Sequence, residues 1–380
     1  MTPLANRRIK RRPVPDLQAD RATYQLILED MVRNGGPLVP DPNWLRTEDT
    51  SKAPENYDRG AALEFALSEE HYRTKVASMR NLMRAWTGGA QRPSPRTISK
   101  YCQFLKHCDL LDLWAANIGG AASDAIALSD PDLGTLMDLN LLYAFVPSPS
   151  SDKSTVLEVG GGYGRLAEAM FNVFGRSVQY VLVDAVPASL YYAPKYLCTA
   201  VPDARVGSYY DSEGEGFEIG RYDIAIVPAW HFERLNTLRY DICVNIESMQ
   251  EMNQNHVDYY LKLFDAVATE NAAIYLSNAH GYYFRGSFNY PPSWQRLFCG
   301  NTPRSWSADH PTEIFRKTTE SHTDPNSALD ALHRYRIWLE RDVQEFVDHS
   351  AAKQWIRPLL KKIFGALASR TRNVVRGISR

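Results

Sequence analysis

Hydrophobic residues along the chain follow two different periods on either side of a polar stretch near residue 150. Between Thr23 and about Phe145 they recur three or four positions apart, as at Leu26, Ile27 and Met31, which is the spacing of amphipathic helices. After residue 151, short runs rich in branched side chains alternate with such helical patterns. These strand-like runs are Thr155–Val159, Val178–Asp184, Tyr222–Val227, Tyr240–Ile246 and Ala273–Asn278.

The alternation of strands and helices predicts an α/β domain with a mostly parallel sheet and helices on both faces. Glycine and proline mark the boundaries: Gly35-Gly36-Pro37 ends the first helix, and Pro147–Ser151 indicates a linker. We therefore expect four segments: a flexible basic arm, a helical cap or dimerisation region, the sheet domain, and C-terminal helices with a basic amphipathic tail. Their predicted bounds are residues 1–22, 23–150, 151–325 and 326–380.

A glycine-rich turn follows the first predicted strand. In the string LEVGGGYGRLA, from Leu157 to Ala167, the end of a predicted buried strand is followed by a glycine-rich turn and then by the start of a helix. Glycines permit positive φ and a close approach of a ligand to the backbone, and the helix start offers free N–H groups. This pattern predicts a nucleotide-like cofactor at the first turn of a doubly wound, Rossmann-like sheet.

Two cofactors fit such a turn. From Gly162 onward the string matches the G-x-G-x-x-A dinucleotide fingerprint. Glu158, however, stands two residues before the first glycine, where a carboxylate repels a pyrophosphate and attracts a cationic amino group. S-adenosylmethionine carries that ammonium group, a sulfonium and no phosphate. Asp184, which closes the second strand, is placed to accept both ribose hydroxyls. We favour S-adenosylmethionine over NAD, and a structural turn without a ligand is the remaining alternative.

Polar residues also follow the next long strands, at the edge where an open α/β sheet binds its ligands. Asn245 and Glu247 end the fourth strand and should face the cleft. We expect Glu247, Glu251 and Asn255 on one face of a helix that follows directly, either to handle substrate hydroxyls or, for Glu251, to interact with the helix dipole. Methylation of a hydroxyl requires loss of its proton, so His280, Glu251 and Glu247 are candidate general bases.

Together, the glycine turn, Val183-Asp184 and the string NIESMQEM at Asn245–Met252 resemble the bacterial sugar O-methyltransferase family over about residues 150–300. The resemblance implies a class I methyltransferase fold, S-adenosyl-L-methionine as donor, a sugar or glycan hydroxyl as acceptor, and a setting in polysaccharide biosynthesis. The candidate cofactor-binding residues are Glu158, Gly160, Gly161, Gly162, Tyr163, Gly164, Asp184 and Asn245.

Two other functions stay open. One is O-methylation of a phenol or another natural product. The other is a catalytically silent, methyltransferase-like scaffold for glycan assembly, which would keep its function without Glu158 or Asp184. The aromatic segment from Tyr282 through Tyr290 to Trp294 and Trp306 either stacks on sugar rings or packs as a loop over the edge of the sheet.

Composition narrows the classes of partner. The chain has 43 Lys+Arg against 44 Asp+Glu, a formal charge of −1, which argues against nucleic-acid binding. Its five cysteines are scattered without a C-x-x-C pair, so neither a disulfide framework nor a zinc site is indicated, and we expect no metal and a reducing, cytoplasmic location. The N-terminus lacks the apolar core of a secretory signal. A homo-oligomer is compatible with the helical region.

The tail is the exception to this charge balance. Residues 351–380 carry eight basic residues and no acidic one, with Trp355 and Leu359 among apolar residues at helical spacing. Such a segment either lies on an anionic membrane surface, which would make the protein peripheral there, or docks on the protein's own core with a solvated basic face. The sequence leaves both interpretations open.

Overall fold

The computed structural model describes the chain in separate stretches. These are residues 21–38, the helical residues 134–135, 137–139 and 141–142, and residues 153–212, 216–278, 288–302 and 311–319. The chain divides into two compact units, residues 1–323 and 324–380, and every described residue belongs to the first. Several predictions fall on residues that the structure does not describe. These are His280, residues 1–20 of the predicted arm, most of the predicted helical region, and the basic tail with its predicted membrane contact.

The described secondary structure consists of helices and strands with short 3₁₀ turns between them. The α-helices are α1 (Arg21–Asn34), α2 (Arg165–Phe174), α3 (Pro187–Ala200) and α4 (Gln254–Val267). The strands are β1 (Ser154–Val159), β2 (Val178–Asp184), β3 (Val206–Ser208), β4 (Ile224–Pro228), β5 (Tyr240–Ile246), β6 (Ala268–Ser277), β7 (Trp294–Asn301) and β8 (Pro311–Lys317). The 3₁₀ turns are Gly36–Leu38, Gly175–Ser177, Tyr209–Ser212, Ile219–Arg221, Ala229–Thr237 and Met249–Glu251.

All eight strands form one mixed sheet in the order β3-β4-β2-β1-β5-β6-β8-β7. The five pairings from β3 to β6 are parallel, whereas β8 runs antiparallel to both β6 and β7. The expectation of a mostly parallel sheet missed this antiparallel pair. The residues of β7 and β8 mix charged and aromatic side chains without a clear alternation, so their sequence gave no strand signal.

The centre of the sheet is hydrophobic and enclosed. Every residue of β2 and β4 is buried, which matches their near-continuous apolar sequences. The first helix ends where the sequence predicts: α1 stops at Asn34, before the Gly35-Gly36-Pro37 string. Among the described residues, no helix is long and apolar enough to span a membrane.

The parallel strands give the sheet two distinct edges. The turns that follow Val159, Asp184, Pro228 and Ile246 all leave from one side, which we call the carboxyl edge. The residues at or just before the starts of β1, β4, β5 and β6 define the opposite amino edge. Ligands of open α/β sheets bind beyond the carboxyl ends of the strands, so the carboxyl edge holds the candidate site.

Candidate functional site

The glycine turn is packed tightly against its supports. Gly160 has φ +74, and its N–H donates to the Val183 carbonyl at 2.7 Å. A Cβ at Gly160 would lie 2.0 Å from Oγ of Ser248, and a Cβ at Gly161 would lie 2.7 Å from Oε2 of Glu158. These two positions therefore require glycine, because a side chain would collide with Ser248, in the turn after β5, at Gly160 and with the Glu158 carboxylate at Gly161.

Gly162 differs from its neighbours because it faces open space. Its φ is +58, and no heavy atom lies within 4 Å of the position that a Cβ would occupy. Its N–H donates to Oδ2 of Asp184 at 2.9 Å. The front of the turn is thus a cradle with room for a ligand, and a carboxylate lies at its side.

Glu158 lies under the turn in a closed environment. Its side chain is 4 % exposed, and Oε2 accepts a hydrogen bond of 2.7 Å from the hydroxyl of Tyr180. Burial raises the pKa of Glu158 to about 7; the hydrogen bond from Tyr180 and the charge of Arg165 oppose that rise. A cationic ligand nearby would favour the ionised form of this carboxylate.

Asp184 closes β2 beside the turn. Its two oxygens accept backbone hydrogen bonds from Gly162 N at 2.9 Å and from Val186 N at 2.8 Å, and the Ala185 N–H and the Ser189 side chain donate to the same carboxylate. Burial raises the pKa of Asp184 to about 6, and the bonds from Val186 and Gly162 limit the rise. A carboxylate has about four acceptor positions, so ribose hydroxyls at Asp184 would share these positions with the four donors of the protein.

The side chains of Asn245 and Tyr163, two of the predicted cofactor-binding residues, have partners within the protein. The Nδ2 of Asn245 donates to the Val159 carbonyl at 2.8 Å and to Oγ of Ser248 at 2.6 Å, and its Oδ1 accepts from Met249 N at 3.2 Å. The ring of Tyr163 packs edge-on against Tyr196, with centroids 4.8 Å apart. Asn245 therefore ties the end of β1 to the turn after β5.

The chain does not pass directly from β5 into a helix. Glu247 adopts φ +57, which is uncommon for a residue with a side chain, and its N–H donates to the Ser277 carbonyl at 2.8 Å. The 3₁₀ turn Met249–Glu251 follows, and α4 begins only after Asn253, whose Oδ1 accepts from His256 N at 3.0 Å. The expected common helical face of Glu247, Glu251 and Asn255 is therefore wrong.

Glu251 lies at the same edge of the sheet as the glycine turn. It lies on the 3₁₀ turn at the carboxyl edge, half-buried, and it is within electrostatic range of Glu247. Burial, with a further contribution from the negative charge of Glu247, raises the pKa of Glu251 to about 7. A carboxylate with that pKa can accept a proton near neutral pH.

Three more buried residues belong to this region, although the sequence analysis did not predict them as site residues: Tyr180, Asp138 and Tyr275. Besides Tyr180, Asp138 reaches the sheet face that carries Glu158 and accepts a hydrogen bond of 2.5 Å from the hydroxyl of Tyr275. Register places Glu158 beside Val244 and Val244 beside Tyr275, so these side chains share one face. The hydroxyl of a tyrosine inside a buried aliphatic strand needs a polar partner. Tyr180 in β2 is such a residue, so its sequence context already indicated a polar group nearby.

The described part of the aromatic segment lies away from the site. Trp294 begins β7 opposite Lys317, at the amino edge, and its Nε1 donates to Oδ1 of Asp265 at 3.0 Å. Tyr290 packs on Trp294 and Phe315, with centroids 6.3 and 4.6 Å apart. For Tyr290 and Trp294 the structure favours the packing alternative, because Trp294 is part of the hydrophobic core and Tyr290 packs against that core.

Neither a metal site in the described part of the chain nor a sequence match to a known protein identifies the chemistry of this region. Among the described residues, no three His, Cys, Asp or Glu side chains are grouped as metal ligands would be. No protein-family model matches the chain, and no curated protein sequence matches it.

Solved structures similar to this chain include methyltransferases. TrmN from Thermus thermophilus is 13 % identical, with a TM-score of 0.34, and 48 % of each chain is covered, so this chain spans about half of the length of TrmN. A SAM dependent methyltransferase from Aquifex aeolicus is 12 % identical over 48 % of this chain and 89 % of its own, with a TM-score of 0.31. The CurJ carbon methyltransferase is 11 % identical over 79 % and 91 %, with a TM-score of 0.33.

Proposed function

We propose that this chain is an S-adenosylmethionine-dependent O-methyltransferase that methylates a hydroxyl of a sugar or glycan, in the cytoplasm of a bacterium that builds such polysaccharides. The observation that carries the choice of cofactor is the hydrogen bonding of the glycine turn. Gly160 N, Gly162 N and Gly164 N already donate to Val183 O, Asp184 Oδ2 and Gly161 O, at 2.7, 2.9 and 3.0 Å.

That arrangement disfavours a dinucleotide. A pyrophosphate on a glycine turn is held by free backbone N–H groups and by the helix dipole. Here those amides have partners in the protein, and two carboxylates, of Glu158 and Asp184, flank the turn. The turn therefore offers negative charge where a dinucleotide would need hydrogen-bond donors, and this favours a ligand that is cationic and rich in hydroxyls.

The residues present fit S-adenosylmethionine. When bound, this cofactor supplies an electrophilic methyl group on a sulfonium. The open space before Gly162 gives room for a ligand against the backbone, and the Asp184 carboxylate lies beside it as an acceptor that ribose hydroxyls would share with its donors in the protein. Glu158 contributes negative charge beneath the turn, which favours the cationic amino-acid end.

For the transfer itself, the chain has to hold the acceptor oxygen and remove its proton. We assign the proton acceptor to Glu251, which is half-buried at the carboxyl edge beside Glu247. Glu247 is held in a left-handed backbone conformation at the end of β5, and such conformations concentrate at functional sites. A pair of carboxylates also suits an acceptor that presents several hydroxyls, as sugars do. His280 stays a predicted alternative base.

Cofactor binding tests this proposal with a matched pair of glycine variants. Gly162 and Gly175 have φ +58 and +60, and neither has a heavy atom within 4 Å of a would-be Cβ. Both variants place a side chain at positive φ, so Gly162→Ala should lower the free energy of unfolding by about 1–2 kcal/mol and Gly175→Ala, where ψ is −139, should lower it by more. Only Gly162→Ala should weaken S-adenosylmethionine binding, by at least about tenfold, because its methyl group enters the cradle.

Calorimetric titration with S-adenosylmethionine and with NAD, on wild type and both variants, supplies the measurement. Binding of NAD alone would contradict the choice of cofactor. Equal affinities for S-adenosylmethionine in the two glycine variants would contradict the position of the site. Methyl transfer from labelled S-adenosylmethionine to a panel of sugars and of phenols then separates the proposed acceptor class from the natural-product alternative, and a chain that binds the donor but transfers to neither would favour the silent scaffold.

A further inference from the structure

Helix α1 reaches the carboxyl edge of the sheet through one carboxylate. Oδ2 of Asp30 accepts hydrogen bonds from Nε1 of Trp230 at 2.7 Å and from the hydroxyl of Tyr210 at 2.8 Å. Nε2 of His231 lies 3.0 Å from the same oxygen. Asn34, one helical turn further along α1, donates to Oδ1 at 2.6 Å. A single side chain thus has four polar partners, three of which lie nearly 200 residues away in sequence.

These partners belong to the segments that follow β3 and β4, and β4 is the neighbour of β2, the strand that ends at Asp184. Tyr210 follows β3, and Trp230 and His231 follow β4. In the sheet register, Pro228 at the end of β4 pairs with Asp184 at the end of β2. The segment that Asp30 holds therefore begins directly beside Asp184.

The contact is well enclosed. Trp230 is 5 % exposed, and the side chains of Asp30 and His231 are each 13 % exposed. Burial alone would raise the pKa of Asp30, but the hydrogen bonds from His231, Trp230, Asn34 and Tyr210 hold it well below its usual range. Asp30 is accordingly ionised at neutral pH, and charge-assisted hydrogen bonds of this kind are about twice as strong as neutral ones.

The rest of α1 fixes the same region. Tyr24 packs edge-on against Tyr191 of α3, with ring centroids 5.5 Å apart. Helix α3 begins at Pro187, three residues after Asp184. Helix α1 is therefore attached both to the helix that follows Asp184 and to the segment that follows β4, on either side of the position assigned to the ribose.

We propose that Asp30 is a positioning residue of the cofactor site, which fixes Trp230 and His231 beside Asp184 and so makes helix α1 part of the support for the nucleoside end of the donor. This inference rests on the proposed function. Asp30 touches no reacting group; it acts through the segment after β4. Its effect should therefore appear in affinity for anything that carries the adenosine part of the donor.

The test compares Asp30→Asn with two controls. In Asp30→Asn, an amide NH₂ replaces one acceptor oxygen and faces the donors of Trp230 and Tyr210. We expect the Kd for S-adenosylmethionine to rise about tenfold, and the Kd for methylthioadenosine, which lacks the amino-acid end, to rise by the same factor. Glu29→Gln removes the neighbouring acid on the same helix, which is exposed and contacts only Gln25 among the contacts described. It should leave both constants within about twofold.

The second control separates positioning from general loss of stability. Asp265, at the amino edge, also accepts from a tryptophan and a hydroxyl: from Nε1 of Trp294 at 3.0 Å and from Oγ of Ser293 at 2.7 Å. Asp265→Asn should lower the melting temperature by an amount similar to Asp30→Asn and leave both dissociation constants unchanged. If Asp265→Asn weakened binding as much as Asp30→Asn, the positioning role would be overturned.

Other outcomes are equally decisive. Unchanged affinity in folded Asp30→Asn, or a loss for S-adenosylmethionine without a loss for methylthioadenosine, would overturn the inference and leave the proposed function standing. Failure of the wild type to bind either compound would overturn the proposed function and the inference with it. Should Asp30→Asn not fold, Tyr210→Phe removes a single donor; an equal rise of about threefold in both constants supports the inference, and wild-type values overturn it.

Discussion

Acidic side chains at the two edges of the sheet have opposite environments. At the carboxyl edge, burial raises the pKa of Glu158, Asp184 and Glu251 to about 7, 6 and 7. At the amino edge, Asp223 accepts hydrogen bonds from the Arg205 guanidinium at 2.9 and 3.1 Å, and these bonds lower its pKa to about 2. The same chemical group is thus ready to accept a proton at one edge and is permanently ionised at the other.

The guanidinium partner of Asp223 and the stronger desolvation of Glu158 together explain this difference. The Asp223 side chain is 1 % exposed, and Glu158 is 4 % exposed, so both are enclosed. Asp223 has a guanidinium and the Arg205 backbone N–H as partners, whereas the hydrogen bond from Tyr180 is the one recorded for Glu158. Asp30 lies at the carboxyl edge but has several donors, and its pKa is low as well. Asp223 and Asp30 thus stay ionised through their donors, whereas desolvation outweighs the donors of Glu158 and Asp184 at the candidate site.

The largest effect should come from Glu251. Glu251→Gln removes the proposed proton acceptor, so the rate of methyl transfer at saturating donor should fall about 100-fold while the Kd of the donor stays within twofold. The wild-type rate should rise with pH and level off above about 7, because the base acts when deprotonated. Steady-state kinetics from pH 5.5 to 9 measure both. Glu270→Gln, an exposed acid of β6 near the amino edge, is the matched control, and equal rates in the two variants would exclude Glu251 as the base.

Donor affinity should depend on Glu158 next most strongly. Glu158→Gln should raise the Kd for S-adenosylmethionine about 30-fold at pH 8, where the wild-type carboxylate is ionised, and much less at pH 5, where it is protonated. Titration calorimetry across this range makes the comparison. Glu168→Gln is the control, because Glu168 is equally buried and accepts from Tyr196 at 2.5 Å. A wild-type affinity that does not change with pH would contradict the role of Glu158.

Between pH 5 and pH 8, the free energy of unfolding should depend on pH through Glu158 at the carboxyl edge and not through Asp223 at the amino edge. Because the folded-state pKa of Glu158 is raised, its contribution is complete below about pH 4.5 and is lost as the pH rises through about 7. The stability of wild type relative to Glu158→Gln should therefore fall by about 2–3 kcal/mol between pH 5 and pH 8. Asp223→Asn should cost a constant amount over that range, since the lowered pKa of Asp223 confines its change to pH values near 2. Urea unfolding at each pH gives both differences, and parallel curves for the two variants would contradict the contrast.

The smallest effect belongs to the hydroxyl of Thr155 at the amino edge. This hydroxyl donates to the Arg239 carbonyl at 2.6 Å and lies 3.0 Å from Oδ2 of Asp241. Thr155→Val should lower the free energy of unfolding by about 1 kcal/mol and leave donor affinity unchanged. Denaturant unfolding and titration of the same preparation check the two halves of this prediction. Any change in Kd beyond twofold would show that the edges are not independent.

The buried parallel strands were the best predicted part of the fold. The structure confirms the bounds of Val178–Asp184 and Tyr240–Ile246, because continuous branched apolar runs mark strands that are enclosed on both faces. The segment after β5 was predicted less well. Helical spacing from Glu247 to Asn255 suggested one helix, whereas Asn253 caps α4 and the left-handed Glu247 interrupts the path. The cap was visible in the sequence, but the backbone conformation of Glu247 was not.

The candidate site shows the same division. Glu158 and Asp184 could be brought together from sequence because the carboxyl ends of neighbouring parallel strands meet at one edge. Tyr180 and Asp138 could not, since their contacts depend on strand register and on a helical segment packed over the sheet. The role of Asp30 could not be predicted for the same reason. Nothing in the sequence around it indicates that Tyr210, after β3, and Trp230, after β4, donate hydrogen bonds to it.

The order of strands at the far side of the sheet has a consequence for how the chain acquires its structure. Strand β8 comes after β7 in sequence but lies between β6 and β7. Strand β7 therefore has no place to pair until residue 317 has been synthesised, and the backbone groups along one side of β6 wait for a partner until then. Long-range pairing of this kind is slow to form, and an unpaired strand side invites association with other chains. The last third of the nascent chain is thus the part whose protection during synthesis matters most.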